Sequence, residues 1–140
     1  MSDNIREFIT VVSSDTKPEI PFPQIAEQLL FMVARSHFWH LQTKSYEAHK
    51  ALDDFYDELQ DLVDAVIEAG INLYGQLLPT NNEYYFDGVN NALGALTTFK
   101  EMCVCFHETC SKKEQIGITN PLEDIITLCD STLYKLKYLK

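Results

Sequence analysis

The sequence predicts an all-α chain, a four-helix bundle whose second and third helices are joined by a long crossover. Three observations carry this reading. Apolar residues recur at intervals of three and four through four separate stretches, the period of helices that bury one face. Short links join the first two stretches and the last two, which makes each pair an antiparallel hairpin. Between the pairs, residues 71–86 carry Pro79 and Asn81-Asn82 among leucine and aromatic clusters, a composition that interrupts helix and suits a partly ordered crossing.

Residues 1–22 form a lead-in and residues 23–140 the bundle. The lead-in holds one apolar piece, Phe8 to Val12, followed by Pro18, Pro21 and Pro23, which keep helix from starting before about Pro23. The first helix carries Ile25, Leu29, Met32, Val33 and Ser36 on one stripe and reaches Leu41 or Gln42. Thr43-Lys44-Ser45 reads as a tight joint, with the Ser45 hydroxyl suited to accept from the free N–H groups of the next helix. That second helix runs from Tyr46 to Ala69, with Leu52, Leu59, Val63 and Ile67 inward and Gly70 as its stop. Asp87 is expected to cap the third helix, whose stripe is Ala92, Leu96, Phe99, Cys103, Phe106 and Cys110. The fourth is expected to begin at Asn120-Pro121, with Glu123 near a capping-box position, and to bury Leu122, Ile125, Cys129, Leu133 and Leu136. Lys135, Lys137 and Lys140 fall in its final turn, where positive charge complements the helix dipole.

Composition narrows the function. The 140 residues include 21 acidic and 11 basic ones, a net charge of −10. A field of that sign repels phosphate backbones and attracts cations, so DNA is disfavoured as a partner. No apolar run approaches the roughly 18 residues that span a bilayer, and the basic flank and apolar core of a secretory signal are missing. The expected compartment is the cytoplasm, with no membrane association. Of the four cysteines, Cys103, Cys105 and Cys110 crowd together and Cys129 stands apart, a pattern expected to give reduced thiols packed in the core.

The chemistry concentrates on the first two helices. His49, Asp53, Asp64 and Glu68 lie at offsets of 0, 4, 15 and 19, which at about 100° per residue keeps all four within roughly 100° of one another. An imidazole and a carboxylate one turn apart form a chelating pair, and so do two carboxylates. Asp53 and Asp64 are nevertheless separated by about 16 Å along the axis, too far to share an ion. Folding the chain back near Lys44 sets His40 level with His49 and His37 level with Asp53, gathering up to three imidazoles and a carboxylate. Asp64 and Glu68 find no such company on the first helix. A two-fold dimer with antiparallel second helices would bring them against the histidine cluster of the other copy. The pattern therefore points to a site between subunits, two per dimer.

The spacing H-x3-D-x10-D-x3-E, formed by His49, Asp53, Asp64 and Glu68 after His37-Phe38-Trp39-His40, resembles the metal-site motif of Dps-type mini-ferritins. The run from Trp39 to His49 is similar to small Dps-like proteins of phages and other viruses. The resemblance implies a ferritin-like bundle that oxidises Fe(II) with peroxide or oxygen and stores ferric mineral inside a hollow dodecamer. It also implies that Asp64 and Glu68 are the principal carboxylate ligands, Glu68 bridging two ions. His49, Asp53 and one of His37 or His40 would come from the partner subunit. Such a mixed oxygen and imidazole set would accept zinc or manganese as well as iron. Two departures stand out. Trp39 follows His37 at two and precedes His40, where the family has histidine directly before tryptophan. The basic tail with which some members grip DNA is missing, since residues 1–16 hold only Arg6 as a basic residue.

A different class of function is a helical assembly or accessory protein, of viral or other source, that keeps the bundle without the chemistry. In it the acidic residues are a solvated face, His37 and His40 are polar members of a helix end, and Phe8 to Val12 docks on a partner. Cys103, His107 and Cys110 share a helical face, but three donors on one helix fall short of a four-ligand zinc site, and core packing is the expectation there.

Overall fold

The computed structural model describes residues 21–110 and 112–139; the apolar piece Phe8–Val12 and the terminal Lys140 lie outside them. Four helices follow in order: α1 (Phe22–Gln42), α2 (Tyr46–Tyr74), α3 (Ala92–Thr109) and α4 (Ile116–Tyr138). Single 3-10 turns, Val89–Asn91 and Lys113–Gln115, lead into α3 and α4. Among the described residues there is no strand, and no helix is long and apolar enough to cross a membrane.

Each helix buries the face its periodicity assigns. Ile25, Leu29, Met32 and Ser36 of α1 are buried, and Ser36 satisfies its hydroxyl by donating to the Met32 carbonyl at 2.6 Å. Leu52, Leu59, Val63 and Ile67 of α2 face Leu96, Phe99 and Cys103 of α3 and Leu122, Ile125 and Cys129 of α4 across one continuous core. The Ser45 hydroxyl accepts from the Ala48 N–H at 3.2 Å, so the tight α1–α2 joint is capped as the sequence requires. Helix α2 packs along both α1 and α4, α3 along α4, and α1 more lightly on α3. The result is a four-helix bundle arranged around a square in the order α1, α2, α4, α3.

The crossover, residues 75–88, climbs the outside of α1. At its lower end Glu27 accepts from Thr80, from Tyr84 at 2.6 Å and from the Asn82 amide at 3.3 Å. Higher up, Phe31 packs on Tyr84 and Phe86, and Phe38 stacks on Phe86 with ring centres 4.9 Å apart. Arg35 then grips Asp87 with two parallel hydrogen bonds of 2.8 and 2.6 Å, and the Trp39 indole donates to the Asp87 carbonyl. Finally the Gln42 side chain accepts from the Val89 N–H. The crossover thus advances in the same direction as α1 and delivers α3 to the end where α1 passes into α2. Helix α3 therefore runs parallel to α2 and antiparallel to α1, and α4 returns antiparallel to α3.

Four boundaries differ from the sequence reading, the last three because of contacts between distant parts of the chain. Helix α1 starts at Phe22, one residue early, with Pro23 in its first turn where no N–H is needed. Gly70 does not stop α2, which continues to Tyr74 and ends at Gly75, the one residue described with a positive φ, +98°. Gly70 is instead where the Phe22 ring lies flat on the helix: a β-carbon there would sit 2.0 Å from the Phe22 Cζ. Asp87 does not cap α3, because both its oxygens are committed to Arg35. Helix α4 begins at Ile116 and not at Asn120, with Pro121 inside it. Buried Gln115 fixes this earlier start by accepting from the Lys112 N–H at 3.1 Å while donating to the Tyr74 hydroxyl at 2.7 Å.

Two outcomes test this packing. Replacing Gly70→Ala should improve helix propensity by about 1 kcal/mol, yet displacing Phe22 outweighs that gain and urea unfolding should show a net loss of about 1 kcal/mol. The second concerns Asp87, whose pKa the Arg35 hydrogen bonds and charge hold below the usual carboxylate value against the opposing effect of burial. Because the folded-state pKa is lowered, its stabilisation is complete above the unfolded value of about 3.9 and disappears as pH falls through the folded one. Asp87→Asn should cost about 2 kcal/mol at pH 7 by leaving buried Arg35 unpaired. It should also flatten the acid limb of the stability–pH curve below about pH 4.

Candidate metal centre

The α1–α2 joint brings His40 and His49 together in a reciprocal arrangement. His40 Nδ1 lies 2.8 Å from the His49 carbonyl oxygen, and His49 Nδ1 lies 2.9 Å from the His40 carbonyl oxygen. A carbonyl only accepts, so each Nδ1 must carry the proton and each neutral ring keeps its Nε2 lone pair free. The rings stack with centres 3.7 Å apart and planes 25° from parallel. Short joints make this possible: with only Thr43, Lys44 and Ser45 between helices, the last turn of α1 and first turn of α2 lie side by side. His40 is buried, whereas His49 is exposed.

Asp53, one turn along α2 from His49, places an oxygen 4.0 Å from His40 Nε2. That is too long for a hydrogen bond and leaves two electron-pair donors facing one another. His37 takes a different position. It is exposed, its ring centre is 6.0 Å from that of His40, and it stacks face to face on Tyr56 at 4.2 Å. Tyr56 in turn presents its ring to His40 edge-on at 5.3 Å. Hydrogen bonding to Asp53, then burial, then the charge of that carboxylate push the Tyr56 phenol pKa up. Tyr56 was absent from the residues singled out by spacing, although its place three residues after Asp53 puts it on the same face of α2.

The hairpin therefore gathers His37, His40, His49 and Asp53, as the fold-back at Lys44 requires. Asp64 and Glu68 do not join them. Both are exposed further along α2, where solvent satisfies a carboxylate without a protein partner. Among the described residues no three His, Cys, Asp or Glu side chains of one chain converge so as to hold an ion. Three other acids of α2 belong elsewhere: Asp54, Glu58 and Asp61 line an open groove of about 580 Å³ against α4, with Asp124 on its far wall.

The cysteines are core residues. Cys103, Cys110 and Cys129 are buried and all four thiols are free. Burial raises the Cys103 thiol well above its ordinary pKa and pushes Cys129 up to about 12, which suppresses the thiolate that metals and oxidants need. His107 turns away from Cys103 and Cys110 and meets Glu123 of α4 at 2.9 Å. No thiolate–imidazole site forms there.

The reciprocal histidine pair predicts a specific spectrum. Two-bond ¹H–¹⁵N correlation at neutral pH should show His40 and His49 both as the Nδ1–H tautomer. His40→Leu should cost about 1 kcal/mol by removing one of the two clasping hydrogen bonds, with His49 keeping its Nδ1–H tautomer because the backbone carbonyl of residue 40 still accepts from it.

With the geometry in hand, comparison with known proteins adds one finding. The sequence profile described as "Family of unknown function (DUF5856)" matches residues 40–136, from His40 through most of α4. No curated protein and no solved structure matches the chain.

Proposed function

We propose that this chain, which belongs to the DUF5856 family, is a ferritin-like metal-binding bundle that captures Fe(II) at a site shared between two copies of itself. The observation that carries the reading is the clasped histidine pair. Metal-binding histidines almost always donate their second ring N–H to a carbonyl or carboxylate, which fixes the tautomer and aims the other nitrogen. His40 and His49 are both held in that state by backbone carbonyls, beside a carboxylate that faces His40 Nε2 at 4.0 Å. An ion between those two atoms would take bonds of about 2 Å to each.

This half-site needs oxygen ligands from elsewhere, and α2 carries them in a self-complementary register. Antiparallel pairing of two α2 helices that sets His49 against Glu68 of the second copy also sets Asp53 against Asp64. The same register opposes Tyr46, 73% exposed, and Ile71, 37% exposed, so the acidic centre is flanked by an apolar contact at either end. Facing carboxylates repel unless a cation lies between them, which makes the pairing dependent on metal. Imidazole nitrogen with carboxylate oxygen suits iron, with zinc and manganese as alternatives. His40 is the better ligand of the first-helix pair by its fixed ring, while exposed His37 stands at the rim. Iron is then the substrate: two Fe(II) ions surrender two electrons to peroxide, with two protons giving water, and ferric mineral is the stored product.

A second reading is a structural bundle in which the histidines only clasp α1 to α2; the exposure of Asp64 and Glu68 favours it, since solvated carboxylates require no metal. One pair of variants separates the two. Asp64→Asn with Glu68→Gln should weaken Fe(II) or Co(II) binding, measured calorimetrically without oxygen, by at least tenfold, and should abolish metal-promoted dimerisation in sedimentation. Unchanged binding and assembly in that variant would favour the structural bundle and remove the metal reading.

A further inference from the structure

The groove between α2 and α4 changes sign along its length. Gln115 donates to the Tyr74 hydroxyl, and a β-carbon on Gly117 would meet Ala69 at 3.5 Å. These two contacts fix the antiparallel register of the helices: Asp124 stands level with Leu62, Leu128 with Glu58, Ser131 with Phe55 and Lys135 with Ala51. The lower half of the groove therefore carries Glu58, Asp61 and Asp124, with half-buried Leu62 and Leu128 beneath them. Half-buried Lys135 and exposed Lys50 stand at the upper end, and Tyr138, 73% exposed, follows about one turn above Lys135. Glu47, the acid of the first turn of α2, accepts from the Ser45 hydroxyl at 3.4 Å. Glu123 and Asp130 of α4 are turned to α3, against His107 and Lys100.

We propose that this α2–α4 face is a docking surface for a second copy of the chain, paired about a two-fold axis that passes beside Ser131. In such a pair α4 of one copy lies on α2 of the other, and positions above the axis meet positions below it. Lys135 then falls beside Glu58 of the second copy, Lys50 beside its Asp124, and the Tyr138 ring against its Leu62. The Ser131 hydroxyl donates to Asp54 of the second copy. Opposite charges meet toward both ends, and every contact is made twice. One chain cannot make these pairs by itself, because Lys135 and Glu58 lie about 10 Å apart along the bundle and Lys50 and Asp124 about 18 Å. Two copies of net charge −10 repel at a distance, so local matching of sign decides which faces can meet. His49 and Asp53 lie on the opposite flank of α2, toward α1. The pairing needs no ion and stands independently of the metal-binding reading.

Sedimentation of the full chain in the presence of a chelator tests the surface. The parent should form a dimer without metal. Lys135→Glu and Glu58→Lys each set like charges opposite one another twice, and each variant alone should dimerise about tenfold more weakly. An equimolar mixture of the two should recover the parent's association, because each copy supplies the charge that its partner lacks. Recovery on mixing has no source within a single chain. A parent that stays monomeric in chelator, or a mixture no better associated than either variant alone, would overturn the proposal. Asp64→Asn with Glu68→Gln should leave this metal-free dimer intact, and its loss there would count equally against the α2–α4 face. Any further gain in mass on adding Co(II) reports on the metal site by itself.

Discussion

The fold depends on how one strap of chain is fastened. A crossover of fourteen residues, 75–88, has no regular backbone hydrogen bonding of its own, so side chains must hold it. The fastening is the Arg35–Asp87 pair: a buried guanidinium, 8% exposed, making two short hydrogen bonds to one carboxylate. Planar guanidinium and carboxylate match in shape as well as charge, and the indole of Trp39 covers the guanidinium face at 4.9 Å. Burying such an ion pair gains little net energy over a well-packed apolar pair. What it gives is place. Only one register of the crossover on α1 satisfies Arg35, the Trp39 indole and Gln42 together, and that register brings α3 in parallel to α2.

Much of this was legible in the sequence because helical periodicity is a local property. The stripes of α1, α3 and α4, the Ser45 cap and the tight joint before it all follow from spacing and residue chemistry within a few positions. What was not legible was set by contacts between distant parts. Gly70 looks like a stop because glycine often ends a helix, and nothing nearby in sequence reveals that Phe22 rests on it. Asp87 looks like a cap because it precedes a helix, and only the folded chain shows Arg35 claiming both oxygens. The early start of α4 depends on Gln115 reaching Tyr74, forty-one residues away. In each case a local signal was real and a tertiary partner outweighed it.

The candidate site divides along the same line. Hairpin geometry and the spacing of His37, His40, His49 and Asp53 were enough to bring those four together, since a three-residue joint leaves two antiparallel helices one register. Spacing could not distinguish the roles of the two α1 histidines, which differ in burial and in hydrogen bonding to a carbonyl. Nor could it find Tyr56, because a tyrosine on an acidic helix carries no metal signature until its neighbours are seen. The thiols show the reverse case: Cys103, His107 and Cys110 have suggestive spacing, and burial together with the His107–Glu123 contact takes them out of consideration.

The extension of α2 past Gly70 bears on more than a boundary. A helix stopping at Ala69 would end just beyond Glu68, and its outer face would run from an aromatic at Tyr46 to a bare acidic end. Continuing to Tyr74 gives 29 residues, about 43 Å of helix, and brings Ile71 onto the same face as Tyr46. The face then has an apolar residue toward each end, a histidine–carboxylate pair on one side of its midpoint and a carboxylate pair on the other. Such a sequence is matched to its own reverse. A surface designed only to be solvated has no reason to place Tyr46 and Ile71, His49 and Glu68, and Asp53 and Asp64 at equal distances about one midpoint. The close approach of Phe22 to Gly70, which lets α2 run on beneath it, is thus tied to the proposed pairing: the glycine that packs the bundle's end also permits the helix length on which a two-fold shared site would rely.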